Sequence, residues 1–219
     1  MVLKMTKEVM KELLLGNDKY EIHEDVLDKI QAGQNPKITL VTCSDSRVSG
    51  HIMGKDMTNH VFHIRNIGNQ IENNFGSVDY GIHHLKTPIL LILGHTDCGA
   101  VKASQIDFSK ESDEIRQELY PLHFNLSKAS NLLDKDDPKF ITKLVQTNVD
   151  KQVKMALARY GEQTNVVGAI FDIHAHLNKK NAQVIVTNIN GVTDEFRLRN
   201  HELLSDIEED LKDVKVNRL

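Results

Sequence analysis

The run Pro88-Ile89-Leu90-Leu91-Ile92-Leu93 restricts most strongly what this chain can fold into. Its apolar residues are consecutive rather than alternating. A strand built from them has no face fit for water and must be covered on both sides, which is the condition of a strand in a parallel sheet. Ile38 to Val41 and Asn165 to Phe171 read as strands of the same kind. Helical patterns separate them, so the expected architecture is α/β, with a mainly parallel central sheet flanked by helices. Ligands in such sheets sit beyond the carboxyl ends of the strands.

The remaining elements follow from periodicity and punctuation. Residues 5–33 predict two helical arm segments, with Val9, Leu13 and Leu14 on one stripe, Ile22, Val26, Leu27 and Ile30 on another, and Gly33 as a stop. The first strand is expected over 37–43 and the second over His60–Ile64, followed by the polar loop Arg65-Asn66-Ile67-Gly68-Asn69. Ser77 is placed as the cap of a helix through Leu85, and a helix is expected to begin near Cys98. The helical pattern over 111–133 contains Pro121, which should break or kink it. Asp137-Pro138 opens a longer helix to Gly161. A strand over Gln183–Thr187 follows a hairpin around Asn178–Asn181, and Thr193 caps a last amphipathic helix carrying Leu203, Leu204, Ile207, Leu211 and Val214. The 219 residues hold no repeat and no second domain boundary, so 1–219 reads as a single domain.

Composition removes several classes of function. The formal charge is −4 and both signs are mixed along the chain, with no basic block or aromatic–basic interleaving to grip nucleic acid. No apolar run is long enough to cross a membrane, and the N-terminus has no apolar signal core, so a cytoplasmic location is expected. There are only two cysteines, which a reducing cytoplasm would keep as thiols.

Both cysteines sit where strands end, in Cys43-Ser-Asp45-Ser-Arg47 and in Gly94-His95-Thr-Asp-Cys98-Gly99. Two thiolates and one imidazole with a fourth position open form a known catalytic zinc set, and Cys43, His95 and Cys98 supply it. Thiolates favour zinc over magnesium or calcium. The fourth ligand would be water, or a nearby carboxylate in an inactive form. The competing reading is a pair of inert thiols. Asp45 and Arg47 likewise read either as a surface ion pair, or as a pair in which Arg47 holds Asp45 ready to accept a hydrogen bond from zinc-bound water.

Taken whole, these residues resemble the β-class carbonic anhydrases. Further matching stretches are Gly33-Gln34-Asn-Pro36, Phe62-His-Ile-Arg65-Asn66-Ile67-Gly68-Asn69, Gly76-Ser-Val-Asp-Tyr80-Gly-Ile-His-His-Leu-Lys86 and Gly99-Ala-Val-Lys102. The resemblance is dense over residues 33–104 and looser over Asn148–Leu157 and Val166–Asp172. It implies an antiparallel edge strand, zinc on Cys43, His95 and Cys98, and a catalytic Asp45–Arg47 dyad, with Asp45 a fourth ligand in an inactive form. It further implies a substrate pocket of Gln34, Phe62, Ile67 and Tyr80, as in the plant-like branch. In that branch the pocket forms at a dimer interface, and Gln34 would serve its neighbour's zinc. The implied partners are carbon dioxide, bicarbonate and a second copy of the chain, in a homodimer or an assembly of dimers, with residues 1–33 as an arm around the neighbour. The implied reaction is reversible hydration of carbon dioxide by attack of zinc-bound hydroxide. Carbonyl sulfide or carbon disulfide hydrolysis on the same scaffold is the near alternative, and a noncatalytic zinc-stabilised sensing domain the distant one.

There are departures from the resemblance. The chain has no tryptophan, which some relatives use in a noncatalytic bicarbonate site. Ile67 and Gly68 occupy variable positions that set pocket size. His83 and His84 are expected in structural or solvent-facing roles. His174 and His176 are expected on one strand face in local hydrogen bonds. Asp97 reads as a solvated loop carboxylate. Nothing selects His51, His60, His63 or His123 for proton transfer.

Overall fold

A computed structural model of the chain describes residues 2–19, 21–22, 24–54 and 57–219. Positions 20 and 23 of the expected arm lie outside the described residues. The chain forms two compact units, Met1–Gln34 and Asn35–Leu219. The first contains α1 (Val2–Asp18) and α2 (Glu24–Gln31), the two helices expected there. Many apolar residues of α1, including Leu3, Val9, Leu13 and Leu14, are exposed.

The second unit is built on five strands: β1 (Ile38–Cys43), β2 (Val61–Asn66), β3 (Ile89–His95), β4 (Asn165–Asp172) and β5 (Gln183–Ile189). Their order is β2-β1-β3-β4-β5. The first four are mutually parallel and β5 runs antiparallel to β4 at the edge. Burial explains the unbroken apolar runs. On β3, Leu90 and Ile92 enter one core cluster, whereas Leu91 and Leu93 enter another on the opposite face. β1 divides the same way, with Val41 and Cys43 on one side and Leu40 on the other. β2 and β3 each run two residues further than the sequence suggested, so His95 is the last residue of its strand.

The helices are α3 (Phe75–Asp79), continuing into a π-helical turn over Tyr80–His84, α4 (Gly99–Ala103), α5 (Asp113–Leu132), α6 (Phe140–Tyr160), α7 (Glu195–Arg199) and α8 (Glu209–Lys215). Three expectations are corrected. Ser77 caps nothing; it lies inside α3, and the following turn brings Gly81 against β1, where a Cβ would sit 2.2 Å from Thr39 Oγ1. Pro121 does not break α5. An interior proline costs about 3 kcal/mol, but Leu119, Leu122 and Leu126 are buried on that helix, and each buried leucine contributes roughly 1.5–3 kcal/mol. Packing outweighs the lost bond. The last helix is three short pieces, α7, a 3-10 turn over Glu202–Leu204, and α8, with Asp194 rather than Thr193 as the first cap.

The β4–β5 connection is wider than a tight hairpin. The buried Asp172 carboxylate accepts from the backbone N–H groups of His176, Leu177 and Asn178 at 2.9, 2.8 and 3.1 Å. His174 and His176 therefore lie in this loop, not on a strand. Their local hydrogen bonding is as expected: His174 Nδ1 is 2.8 Å from Thr96 Oγ1, and His176 Nδ1 is 2.7 Å from Thr142 Oγ1.

Ile92 is fully buried in the middle of β3. Ile92→Ala should destabilise the fold by about 2–5 kcal/mol, read as a lower urea midpoint with an unchanged slope.

Candidate metal centre

Parallel register delivers the first two groups. Thr42 pairs with Leu93 across β1 and β3, so the carboxyl ends of these neighbours lie side by side, with Cys43 closing one and His95 the other. The chain then reverses through Thr96-Asp97, with Asp97 at φ 60°, and presents Cys98 as the residue before α4. A left-handed turn suits aspartate better than most side chains. The Thr42 hydroxyl donates to the Leu93 carbonyl at 3.0 Å, tying the two strand ends together.

Cys43, His95 and Cys98 are all buried, and their ligand atoms lie within 4.8 Å of one another. The sulfurs are 4.0 Å apart, well beyond the ~2.0 Å of a disulfide. Four-coordinate zinc with ~2.3 Å sulfur bonds would set them roughly 3.8 Å apart. His95 Nδ1 is 3.1 Å from the Thr96 carbonyl, which makes Nδ1 the protonated nitrogen. Nε2 is then a lone-pair acceptor, and among the described residues it is buried without a hydrogen-bond partner. A buried polar atom left unpaired costs about 1–3 kcal/mol. This orphaned nitrogen, beside two thiols and with its tautomer set by a backbone carbonyl, fits a zinc ion.

The thiols behave as a coupled pair. The Cys98 thiol donates to Cys43 and holds the Cys43 thiol well below its ordinary pKa, assisted by the backbone N–H groups of Gly68 and Asp45, against the opposing effect of burial. The same hydrogen bond, with burial and the Cys43 charge, pushes the Cys98 thiol far up. One proton is thus shared where two thiolates would repel. A divalent cation can take that proton's place and let both sulfurs ionise.

Asp45 and Arg47 meet above this cluster. Arg47 Nε and Nη2 donate to the two Asp45 carboxylate oxygens at 2.9 and 2.8 Å, and the Arg47 backbone N–H adds a third bond at 3.0 Å. This guanidinium holds the Asp45 carboxyl well below the usual carboxylate range. Asp45 Oδ2 remains 3.7 Å from His95 Nε2, close to the metal position but too far for a hydrogen bond. Arg47 also donates to the Asp97 carbonyl at 3.2 Å, and the Asp97 carboxylate pairs with Lys102. Asp97 is therefore a part-exposed turn carboxylate, as expected, and is ion-paired as well.

In the sequence Arg65 stands out only as part of a matching stretch, yet it is central here. It donates to the carbonyls of Cys43 at 3.2 Å and Asp45 at 2.8 Å, clamping the loop that carries both. Its position one residue before the end of β2, directly beside Thr42, was the available signal.

A cavity of about 450 Å³ opens at the cluster. Cys43, Asp45 and Ile67 line it together with Ala100, Ile106, Phe108, Ile115 and Leu119. The pocket residues expected from the resemblance separate. Ile67 lines this cavity, whereas Phe62 and Tyr80 do not, and face each other with ring centroids 5.8 Å apart. Gln34 is exposed in the N-terminal unit. The Ile106–Phe108 part of the apolar wall has no signal in the sequence, because both residues stand outside any periodic pattern.

The carbonic anhydrase family profile matches residues 38–178. A carbonic anhydrase of Emericella nidulans is 30% identical over 172 residues, covering 71% of this chain and 73% of that protein. A carbonic anhydrase of Synechococcus elongatus is 34% identical over 91 residues, covering 38% of this chain; the match spans 33% of the relative's own length. Among solved structures, the β-carbonic anhydrase CafA of Aspergillus fumigatus superposes with a TM-score of 0.65 at 23% identity, covering 90% of this chain and 96% of that one. One of two tetrameric β-carbonic anhydrases from Sordaria macrospora gives a TM-score of 0.64 at 23% identity, covering 84% and 96%. At such identities the likeness is one of fold.

If the three side chains act together, Cys43→Ser, His95→Ala and Cys98→Ser should each lose most of the zinc that the unsubstituted chain retains through gel filtration. Elemental analysis of the eluted protein checks this.

Proposed function

This chain belongs to the carbonic anhydrase family and has the fold of its β class, and from that premise we propose that it catalyses zinc-dependent, reversible hydration of carbon dioxide to bicarbonate and a proton. The observation that carries the reading is the buried, unpaired Nε2 of His95 facing two thiols, with the Arg47-held carboxylate of Asp45 3.7 Å away. Cys43, His95 and Cys98 would hold the metal. When bound, zinc supplies the Lewis acidity that makes water a usable nucleophile near neutral pH.

The chain's own residues do the rest. Arg47 occupies both oxygens of Asp45, so the carboxylate stays ionised and is restrained from swinging onto the metal as a fourth ligand. Asp45, held this way, accepts a hydrogen bond from the attacking oxygen and aims its lone pair at carbon. The Ile67, Ala100 and Ile106 walls suit a small apolar substrate and offer water few partners. Bicarbonate leaves through the open outer end of the cavity, and the proton passes to buffer.

The finer assignments belong to the same proposal. Gln34, Phe62, Ile67 and Tyr80 together favour the plant-like branch. Phe62 and Tyr80 stack on each other away from their own chain's cavity, which supports their serving the site of a neighbour in a homodimer or an assembly of dimers. Residues 1–33 then act as the arm of one domain spanning 1–219, and the exposed apolar residues of α1 support that role. No helix of the described residues is long and apolar enough to cross a membrane, and two thiols kept reduced at a metal site suit the cytoplasm.

Stopped-flow assays on zinc-loaded protein test the reaction. Hydration of carbon dioxide is expected. Turnover of only carbonyl sulfide or carbon disulfide would move the assignment to those substrates, and no turnover of any of the three would leave a binding domain. Asp45→Asn should keep zinc and lose turnover by about 10²-fold or more. Full activity in that variant would remove Asp45 from the chemistry. Arg47→Ala should also lose activity, by freeing Asp45 to approach the metal.

A further inference from the structure

Helix α6 lies behind the metal centre and touches both of its halves. On one side it packs directly on the backbone of β3: a Cβ added to Gly94, the residue before His95, would lie 2.8 Å from Val145 and 2.9 Å from Val149. On the other it reaches the loop after β2. Asn148 Nδ2 donates to the Gly68 carbonyl at 2.9 Å and to Asn69 Oδ1 at 3.3 Å. Asn148 and Asn69 are almost fully buried.

That loop has an unusual backbone. Gly68 and Asn69 are consecutive left-handed residues, at φ 78° and 47°. Glycine and asparagine are the residues that adopt this conformation most readily, and here it is also fastened from outside the loop. Gly68 is also packed tightly, since a Cβ there would lie 2.6 Å from Leu122. The fastening is made of side-chain amides. Gln70 Nε2 donates to the Ile67 carbonyl and to the Glu118 carbonyl of α5, both at 2.9 Å. The Gln70 N–H in turn donates to Asn66 Oδ1 at 2.8 Å.

The peptide unit that Gln70 grips is the one joining Ile67 to Gly68. Its carbonyl accepts from Gln70, and its N–H points the opposite way, to the Cys43 sulfur. Asn148 grips the next peptide unit. Ile67, on the same short segment, lines the cavity beside Cys43 and Asp45. We propose that Gln70 and Asn148 are positioning residues for the metal centre: by fixing the two peptide units around Gly68 they hold one N–H on the Cys43 sulfur and the Ile67 side chain on the cavity.

This inference rests on zinc binding at Cys43, His95 and Cys98, and its test separates the two. A peptide N–H bonded to a ligating sulfur withdraws charge from it and fixes its direction. Gln70→Met keeps the side-chain length and removes the donor. Asn148→Leu does the same for the second peptide. Asn190→Ala is the control. Asn190 also bonds buried backbone, accepting from the Val166 N–H at 2.8 Å, but it lies near the amino end of β4, away from the metal centre.

Three quantities are measured on each purified protein: zinc affinity by chelator competition, the sulfur-to-metal charge-transfer band of the cobalt-substituted form, and the melting temperature. Gln70→Met and Asn148→Leu should weaken zinc binding by about 10-fold or more and shift the cobalt band. Asn190→Ala should lower the melting temperature and change neither. Zinc affinity within about twofold of the unsubstituted chain, with an unmoved band, in Gln70→Met would overturn the proposal. So would an equal loss of affinity in Asn190→Ala, which would reduce the effect to general stability. Should Asn148→Leu fail to fold, Gln70→Met alone decides. Failure of the unsubstituted chain to bind zinc would instead remove the metal reading itself.

Discussion

Two thiols and an imidazole nitrogen buried within a few ångströms of one another form an unsatisfied arrangement. The hydrogen bond between the sulfurs lowers the Cys43 pKa and raises that of Cys98, so the two thiols resist ionising together, and among the described residues Nε2 of His95 has no hydrogen-bond partner. The protein tolerates this because the surrounding fold leaves these side chains no other place. Cys43 and His95 end neighbouring parallel strands whose own hydrogen bonds set their separation. Cys98 follows a left-handed turn anchored through Thr96 to the loop after β4, where the Ile173 N–H donates to the Thr96 hydroxyl. The site is strained electrostatically and rigid mechanically, and that combination favours a metal ion over a proton.

The charged groups around the cluster restrain one another in sequence. Arg47 holds Asp45 by three hydrogen bonds and reaches Asp97, and Lys102 pairs with Asp97. Arg65 fixes the carbonyls of Cys43 and Asp45 from the neighbouring strand. Each exposed pair is worth little alone. Their value lies in orientation. The Asp45 carboxylate is kept ionised and directed, while its charge is balanced by a guanidinium that cannot lose its proton.

The apolar wall and the amide-fastened loop complete the centre from opposite sides. Leu119 and Ile115 of α5 face the cavity, and the Glu118 carbonyl beside them receives Gln70. The same helix therefore lines the cavity and braces the loop beneath it. This explains the unbroken passage of α5 through Pro121: its buried leucines and its contact with the loop hold it on both sides of the proline.

The sequence alone determined the class of fold, because unbroken apolar runs are incompatible with a half-exposed sheet. It also singled out Cys43, His95 and Cys98 as the candidate metal set and Asp45 with Arg47 as a pair, because few residue types offer zinc two sulfurs and a nitrogen, and alternate positions after a strand keep a carboxylate and a guanidinium within reach. Where long-range packing competes with local preference, only the tertiary structure decided. Pro121 inside a helix, the π-helical turn after Asp79 and the division of the last helix each depend on neighbours distant in sequence. So do the roles of Arg65, Gln70 and Asn148. A polar side chain that fastens a remote peptide unit carries no local signature, since its partner is chosen by the fold and not by spacing along the chain.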